Sequence, residues 1–126
     1  MPLDNRLSAV VEAARSKKAL RIRLLDVKGH CSFTDTFAFM SGSSDRQNRA
    51  IAEAIEDVLK QDFGTRALSS EGHDPGSWVL LDFGDLVVHV MDPETRAHYN
   101  LEGLWKDGLE LELPPELHPT LGNLQS

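Results

Sequence analysis

The sequence predicts an α+β domain, a mixed β-sheet of about five strands with helices packed against it. Three observations predict it. Two apolar runs, Trp78 to Leu81 and Leu86 to Met91, flank Asp82-Phe83-Gly84-Asp85, a turn-forming group whose glycine suits a positive φ, so a tight antiparallel hairpin is expected. Neither run alternates cleanly between apolar and polar residues, which implies strands covered on both faces in the middle of a sheet. Two other stretches repeat apolar residues at helical spacing, the mark of helices laid on that sheet.

The elements follow in order. Between Leu3 and Lys18, the recurrence of Leu7, Val10, Val11 and Ala14 behind an Asp4 cap predicts an amphipathic helix whose polar face carries Glu12, Arg15, Lys17 and Lys18. Leu20 to Val27 reads as a strand with Arg21 and Arg23 facing one way, ended by Gly29. Thr34 to Met40 is a second strand, with Phe37 and Phe39 sharing a face. Ser44 or Asp45 caps a long helix over Arg46 to Phe63, with Ala50, Ile51, Ala54, Ile55, Val58 and Leu59 as its apolar stripe and Gly64 as its stop. Thr65 to Ser69 is a short extended piece, and Ser70 to Gly76 a polar loop before the hairpin. Asp92-Pro93-Glu94 starts a short helix, and Leu101, Leu104 and Trp105 form one stripe at i, i+3, i+4 that packs on the sheet or meets a partner. Leu109, Leu111 and Leu113 alternate with Glu110 and Glu112, as on an edge strand guarded by acids. Residues 1–113 are expected to form one domain, and 114–126, after Pro114-Pro115, a flexible tail.

Composition ranks the partners. A single cysteine, Cys31, excludes an intrachain disulfide and fits a reducing compartment. No basic-then-apolar leader is visible and no apolar run approaches the ~20 residues that cross a bilayer, so a cytoplasmic protein off the membrane is expected. The net charge of -7 and pI near 5.1 disfavour direct RNA contact and favour a basic protein partner.

No catalytic set emerges. Ser41-Gly42-Ser43-Ser44-Asp45 puts hydroxyls and a glycine at a helix N-terminus, where anions are favoured, yet it lacks a Walker lysine and reads best as a plain capped start. Asp82 and Asp85 stand three apart across a turn, so they need not converge on a metal. His89 has no nucleophile motif beside it and reads as a hydrogen-bonded structural histidine, while His30, His73, His98 and His118 lack metal spacing. Cys31 reads as an inert thiol. Trp78, Tyr99 and Trp105 fit either a core or a protein-binding face in which aromatics anchor and acids orient.

Four motifs in order resemble a known family. Ser41 to Gln47, Glu71-Gly72, Trp78 to His89 and Arg96 to Trp105 are similar to the ribosomal silencing factors of the iojap type, over about Leu7 to Trp105. The resemblance implies a nucleotidyltransferase-like fold that has lost catalysis, with no cofactor. It implies binding to the fourteenth protein of the large ribosomal subunit, a basic protein facing the small subunit, and a block on subunit joining that damps translation when nutrients are short. Members also occur as homodimers. By the same resemblance the partner surface draws on Trp78, Leu80, Asp82, Asp85 and His89, supported by Tyr99, Leu101 and Trp105. Many members stop soon after the Leu-Trp motif, so Lys106 to Ser126 is a departure. The competing expectations are a large-subunit assembly factor and a nucleotide-handling enzyme on the same fold.

Overall fold

In the computed structural model, residues 4–115 are described. Helix α1 (Asn5–Ser16) leads into β1 (Leu20–Asp26) and β2 (Thr36–Ser41); α2 (Asp45–Phe63) is followed by β3 (Ser69–Glu71), β4 (Trp78–Asp82) and β5 (Leu86–Met91); α3 (Pro93–Tyr99), α4 (Leu101–Leu104) and β6 (Leu109–Leu111) come last among the described residues. The six strands form one mixed sheet in the order β3-β4-β5-β2-β1-β6. Only β2 and β5 pair in parallel; every other neighbouring pair is antiparallel.

The period-two alternation of strands divides the core. One face presents Leu24, Ala38, Met40, Val79, Leu81, Val88 and Val90 to the apolar stripes of α1 and α2. The other presents Leu25, Phe37, Phe39, Val87 and Met91, with Trp78, Leu80, Leu101 and Trp105 packed against them. All six residues of β5 are buried, which is why its sequence reads as an unbroken apolar run. In β4 burial alternates, so the hairpin's first strand keeps one half-open side.

The helix ends use the expected chemistry. Asp4 accepts from the Leu7 N–H, Ser44 from the Gln47 N–H, and Gly64 closes α2 at φ 63. Gln47 joins two ends at once, because its Nε2 also donates to the carbonyls of Lys17 and Lys18, just past the end of α1. Buried Asn48 accepts from the Gly42 N–H and donates to the Gly76 carbonyl, both at 2.9 Å. A Cβ at Gly42 would lie 2.5 Å from that Asn48 oxygen, so the glycine is needed for the close approach.

Several expectations shift. The sheet has six strands, and the short extended piece expected over Thr65 to Ser69 lies further along as β3, running from Ser69 into the expected loop and pairing with β4 from Ser69↔Asp82 to Glu71↔Leu80. The open edge of β4 recruited residues of weak strand propensity. In β1, Arg21 takes φ 52 and the register slips between Leu20 and Arg23, so the regular alternation expected of Arg21 and Arg23 is interrupted by a bulge. The edge strand near the end exists as β6, bonded to β1. The expected flexible tail begins in described residues, where Arg15 donates to the Pro114 carbonyl, and otherwise falls outside them. Among the described residues no helix is long and apolar enough to cross a membrane.

Asn48→Ala leaves a buried N–H and a buried carbonyl unpaired. Unfolding free energy should fall by about 2 kcal/mol or more, read from the midpoint of a urea curve.

Candidate functional site

The half-open face of the sheet gathers most of the residues singled out from the sequence. Cross-strand pairing sets Trp78, Leu80 and Asp82 opposite Met91, His89 and Val87, and the parallel register sets Phe37 and Phe39 beside Val87 and His89. The result is a continuous aromatic surface. Tyr99 lies 5.0 Å from Trp78, Trp78 5.9 Å from His89, and His89 stacks on Phe39 at 5.1 Å with 12° between the rings. Trp105 lies 5.3 Å from Phe37 and carries the surface to Phe33 at 6.2 Å.

His89 is the polar member at the centre. It is 5% exposed, and its Nδ1 accepts from the Trp78 indole N–H at 3.1 Å. Nδ1 therefore lacks a proton and the neutral ring carries it on Nε2. Burial lowers its pKa to about 4. His89 thus stands under the surface as a hydrogen-bonded support for Trp78, as expected of a structural histidine. Trp78, Leu80 and Asp82 are half-buried, while Tyr99 is 55% exposed.

The two acids of the hairpin have separate duties. Asp82 accepts from the Gly84 N–H at 2.8 Å and shapes the turn, in which Gly84 takes φ 91. Asp85 pairs with Arg6 of α1 and keeps a half-exposed side chain. Among the described residues no group of three or more His, Cys, Asp or Glu side chains is placed to hold a metal ion. At the start of α2, the Ser43 N–H and hydroxyl both meet the Gln47 Oε1, at 2.6 and 2.5 Å. An anion entering there would have to displace the protein's own oxygen. The free thiol of Cys31 lies partly buried against the aromatic cluster.

Beyond β5 the chain turns at Asp92, whose side chain caps α3 through the Thr95 N–H, with Pro93 in the first turn. One helix does not run on to Trp105. Asn100 takes φ 45 and separates α3 from α4, and a Cβ at Gly103 would lie 2.6 Å from the Asn100 amide nitrogen. The expected stripe splits accordingly. Leu101 and Trp105 pack on the sheet, whereas Leu104 is 71% exposed.

An ion-pair chain fastens these short helices. Arg96, buried on α3, donates to Glu102 of α4 and at 3.2 Å to the Ser41 hydroxyl; Glu102 also accepts from Arg23 of β1 at 3.0 Å, and Arg23 grips Glu110 of β6. Burial pulls the Arg96 guanidinium below its ordinary pKa, Glu102 opposes that, and the charges of Arg21 and Arg23 add to it. Its Nη2 has no partner among the described residues, so Glu102 supplies the only opposite charge in contact. Sequence reading placed Arg96 and Glu102 in a motif without giving them this role, because six residues of separation across a helix break carry no local signal. Phe33 was likewise not picked as a site residue; only the tertiary structure shows it as an exposed neighbour of Trp105 and Phe37.

Comparison with known proteins bears on the family and the fold. Residues 2–123 match the family described as "Ribosomal silencing factor during starvation". A ribosomal silencing factor of Halalkalibacterium halodurans is 40% identical over 107 residues, covering 85% of this chain and 91% of that protein. The mouse protein named "Mitochondrial assembly of ribosomal large subunit protein 1" is 33% identical over 102 residues, covering 79% of this chain and 44% of that one. A crystal structure from Chromobacterium violaceum superposes with a TM-score of 0.79 at 34% identity, covering 92% of this chain and 95% of that chain.

Two outcomes test the site. The unfolded chain protonates His89 near 6.5 and the folded chain only near 4, so the neutral ring's contribution is complete above 6.5 and is lost as pH falls toward 4. The difference in unfolding free energy between the natural chain and His89→Phe should change by up to about 3 kcal/mol across that window, against the natural chain as pH drops. Glu102→Ala, which strands the buried Arg96, should cost about 3 to 5 kcal/mol in a denaturant titration.

Proposed function

The chain belongs to the ribosomal silencing factor family, and from that premise we propose that it binds the large ribosomal subunit and sterically blocks joining of the small one. Its docking partner on that subunit is the fourteenth protein, which the family resemblance implies and whose basic character suits the acids of the hairpin turn. The action is repression of translation in the cytoplasm, strongest when nutrients are short. No covalent chemistry is required, because a domain of this size bound at a contact between subunits excludes the second subunit by volume.

The observation that carries this reading is the incompletely roofed aromatic face. Short helices cover its centre and leave Tyr99 exposed at 55% beside half-buried Trp78, and Phe33 exposed at 63% beside Trp105. Aromatic side chains held by packing offer a large contact area with little rotamer freedom left to lose, which is what interface anchors require. Trp78 is the anchor on this reading, oriented by His89, while Asp82 and Asp85 lie at the rim to meet Lys or Arg. Leu101 and Trp105 support the face from beneath. A homodimer using the same face would compete with the ribosome for it.

The name of the mouse relative favours a second reading, in which the protein serves large-subunit assembly instead of silencing finished particles. The two differ in the particle bound. Silencing requires binding to mature large subunits, whereas an assembly factor sediments with immature ones.

The test is a sucrose gradient of purified large and small subunits with and without this protein. The joined peak should fall and the protein should travel with the large subunit; unchanged joining with no protein in that peak sinks the reading. Trp78→Ala should weaken binding by about 2 kcal/mol or more. Because Trp78 is half-buried, Tyr99→Ser serves beside it: this side chain is 55% exposed and lies 5.0 Å from Trp78, so its unfolding curve should move by no more than about 1 kcal/mol while binding still falls.

A further inference from the structure

The acidic net charge conceals a local excess of the opposite sign. Five of the 13 Lys and Arg residues fall between Arg15 and Arg23, and no acid does. Two of the five are occupied: Arg15 donates to the Pro114 carbonyl, and Arg23 is paired with Glu102 and Glu110. Lys17, Lys18 and Arg21 are exposed and make no ion pair among the described residues.

The backbone beneath them is unusual. Lys18 takes φ 63 and Arg21 φ 52, and with Asn100 they are the only non-glycine residues at positive φ among those described. Left-handed backbone is unfavourable for such side chains and persists only where surrounding structure enforces it. Here Gln47 holds the Lys17 and Lys18 carbonyls, and the β1 bulge displaces Arg21 from the regular alternation of its strand. Between them runs a groove of about 380 Å³, lined by Arg15, Lys18 and Arg21 together with Leu20, Ile22 and Leu113. Leu20 is 48% exposed in it.

We propose that Lys17, Lys18 and Arg21 form a phosphate-binding strip that holds the sugar-phosphate backbone of ribosomal RNA beside the protein docked on the aromatic face. This rests on the ribosome-binding reading above. Three unpaired cations on one short stretch match a polyanion with regularly spaced charges, and the apolar lining of the groove offers contact to a ribose or an unstacked base. Continuity with the proposed interface points the same way. Leu20, next to Arg21, pairs with Ser41, whose hydroxyl accepts from Arg96 on the helix that carries Tyr99. A net charge of -7 repels RNA at long range, but contact within a Debye length of about 10 Å is governed by the local groups.

The experiment measures binding of the full chain to purified large subunits between about 50 and 200 mM KCl, for the natural sequence and for the combined Lys17→Gln, Lys18→Gln, Arg21→Gln variant. The variant should bind more weakly, with the slope of log affinity against log salt shallower by about 2 to 3, and its melting curve should be unchanged. Lys60→Gln with Arg66→Gln, also exposed, should leave the slope alone. Against the isolated fourteenth protein, free of RNA, the variant should bind as tightly as the natural chain. An unchanged slope on the subunit overturns the proposal. Equal loss on the isolated protein overturns it too, by assigning the strip to acids of a protein partner. Should the natural chain fail to bind subunits at the lowest salt, the ribosome-binding reading itself fails and this inference falls with it.

Discussion

Burial of β5 on both faces is the constraint from which the rest of the molecule follows. A strand whose six residues all leave water has no exposed side on which to place a polar group. His89 is nevertheless there, and a buried imidazole is tolerable only when neutral and hydrogen-bonded. The partner is the indole of Trp78, the first residue of the neighbouring strand, two places along from Leu80, which lies directly opposite His89. That bond fixes the orientation of a large aromatic at the margin between core and surface. Packing alone would leave a half-buried tryptophan more freedom; a directional bond removes it before any partner arrives.

Covering β5 also explains the unequal treatment of the two sheet faces. The helices α1 and α2 supply long apolar stripes and close one face completely. The other receives only α3 and α4, of seven and four residues, too short to be stable by helix propensity. Their position comes from tertiary contacts: Leu101 and Trp105 from below, and the Arg96, Glu102, Arg23, Glu110 chain at the side. A buried ion pair such as Arg96–Glu102 contributes little net stability against an apolar alternative, but it tolerates few geometries. Here the linked pairs join two helices to both β1 and the added strand β6, so the partial roof is held in one register.

Charge is distributed to match. Asp82 and Asp85 occupy the hairpin turn, Asp85 paired with Arg6 of α1, and unpaired cations gather where α1 meets β1. A protein bearing both signs in separate places meets different chemistries at each. Net charge sets long-range steering and solubility, while contacts at a few ångströms obey the nearest side chains.

Local signals were sufficient for the elements that carry their own instructions. Asp4, Ser44 and Asp92 announce helix starts, Gly64 a helix end, Gly84 a turn, and the apolar stripes of α1 and α2 their buried faces, because each is a matter of neighbours within a few residues. The shared face of Trp78, Leu80 and Asp82 was legible for the same reason, since strand alternation is local. What required the folded chain involved partners far apart in sequence. The position of β3, shifted from the expected extended piece into the loop after it, follows from the edge that β4 offers; the helix break at Asn100 left Leu101 and Trp105 on the sheet and Leu104 in water; and Arg96 found Ser41 across 55 positions. By itself the sequence determined which stretches are helix or strand and which side of each is apolar. The tertiary structure alone decided which of the apolar and charged side chains are covered, because coverage depends on what lies opposite in space.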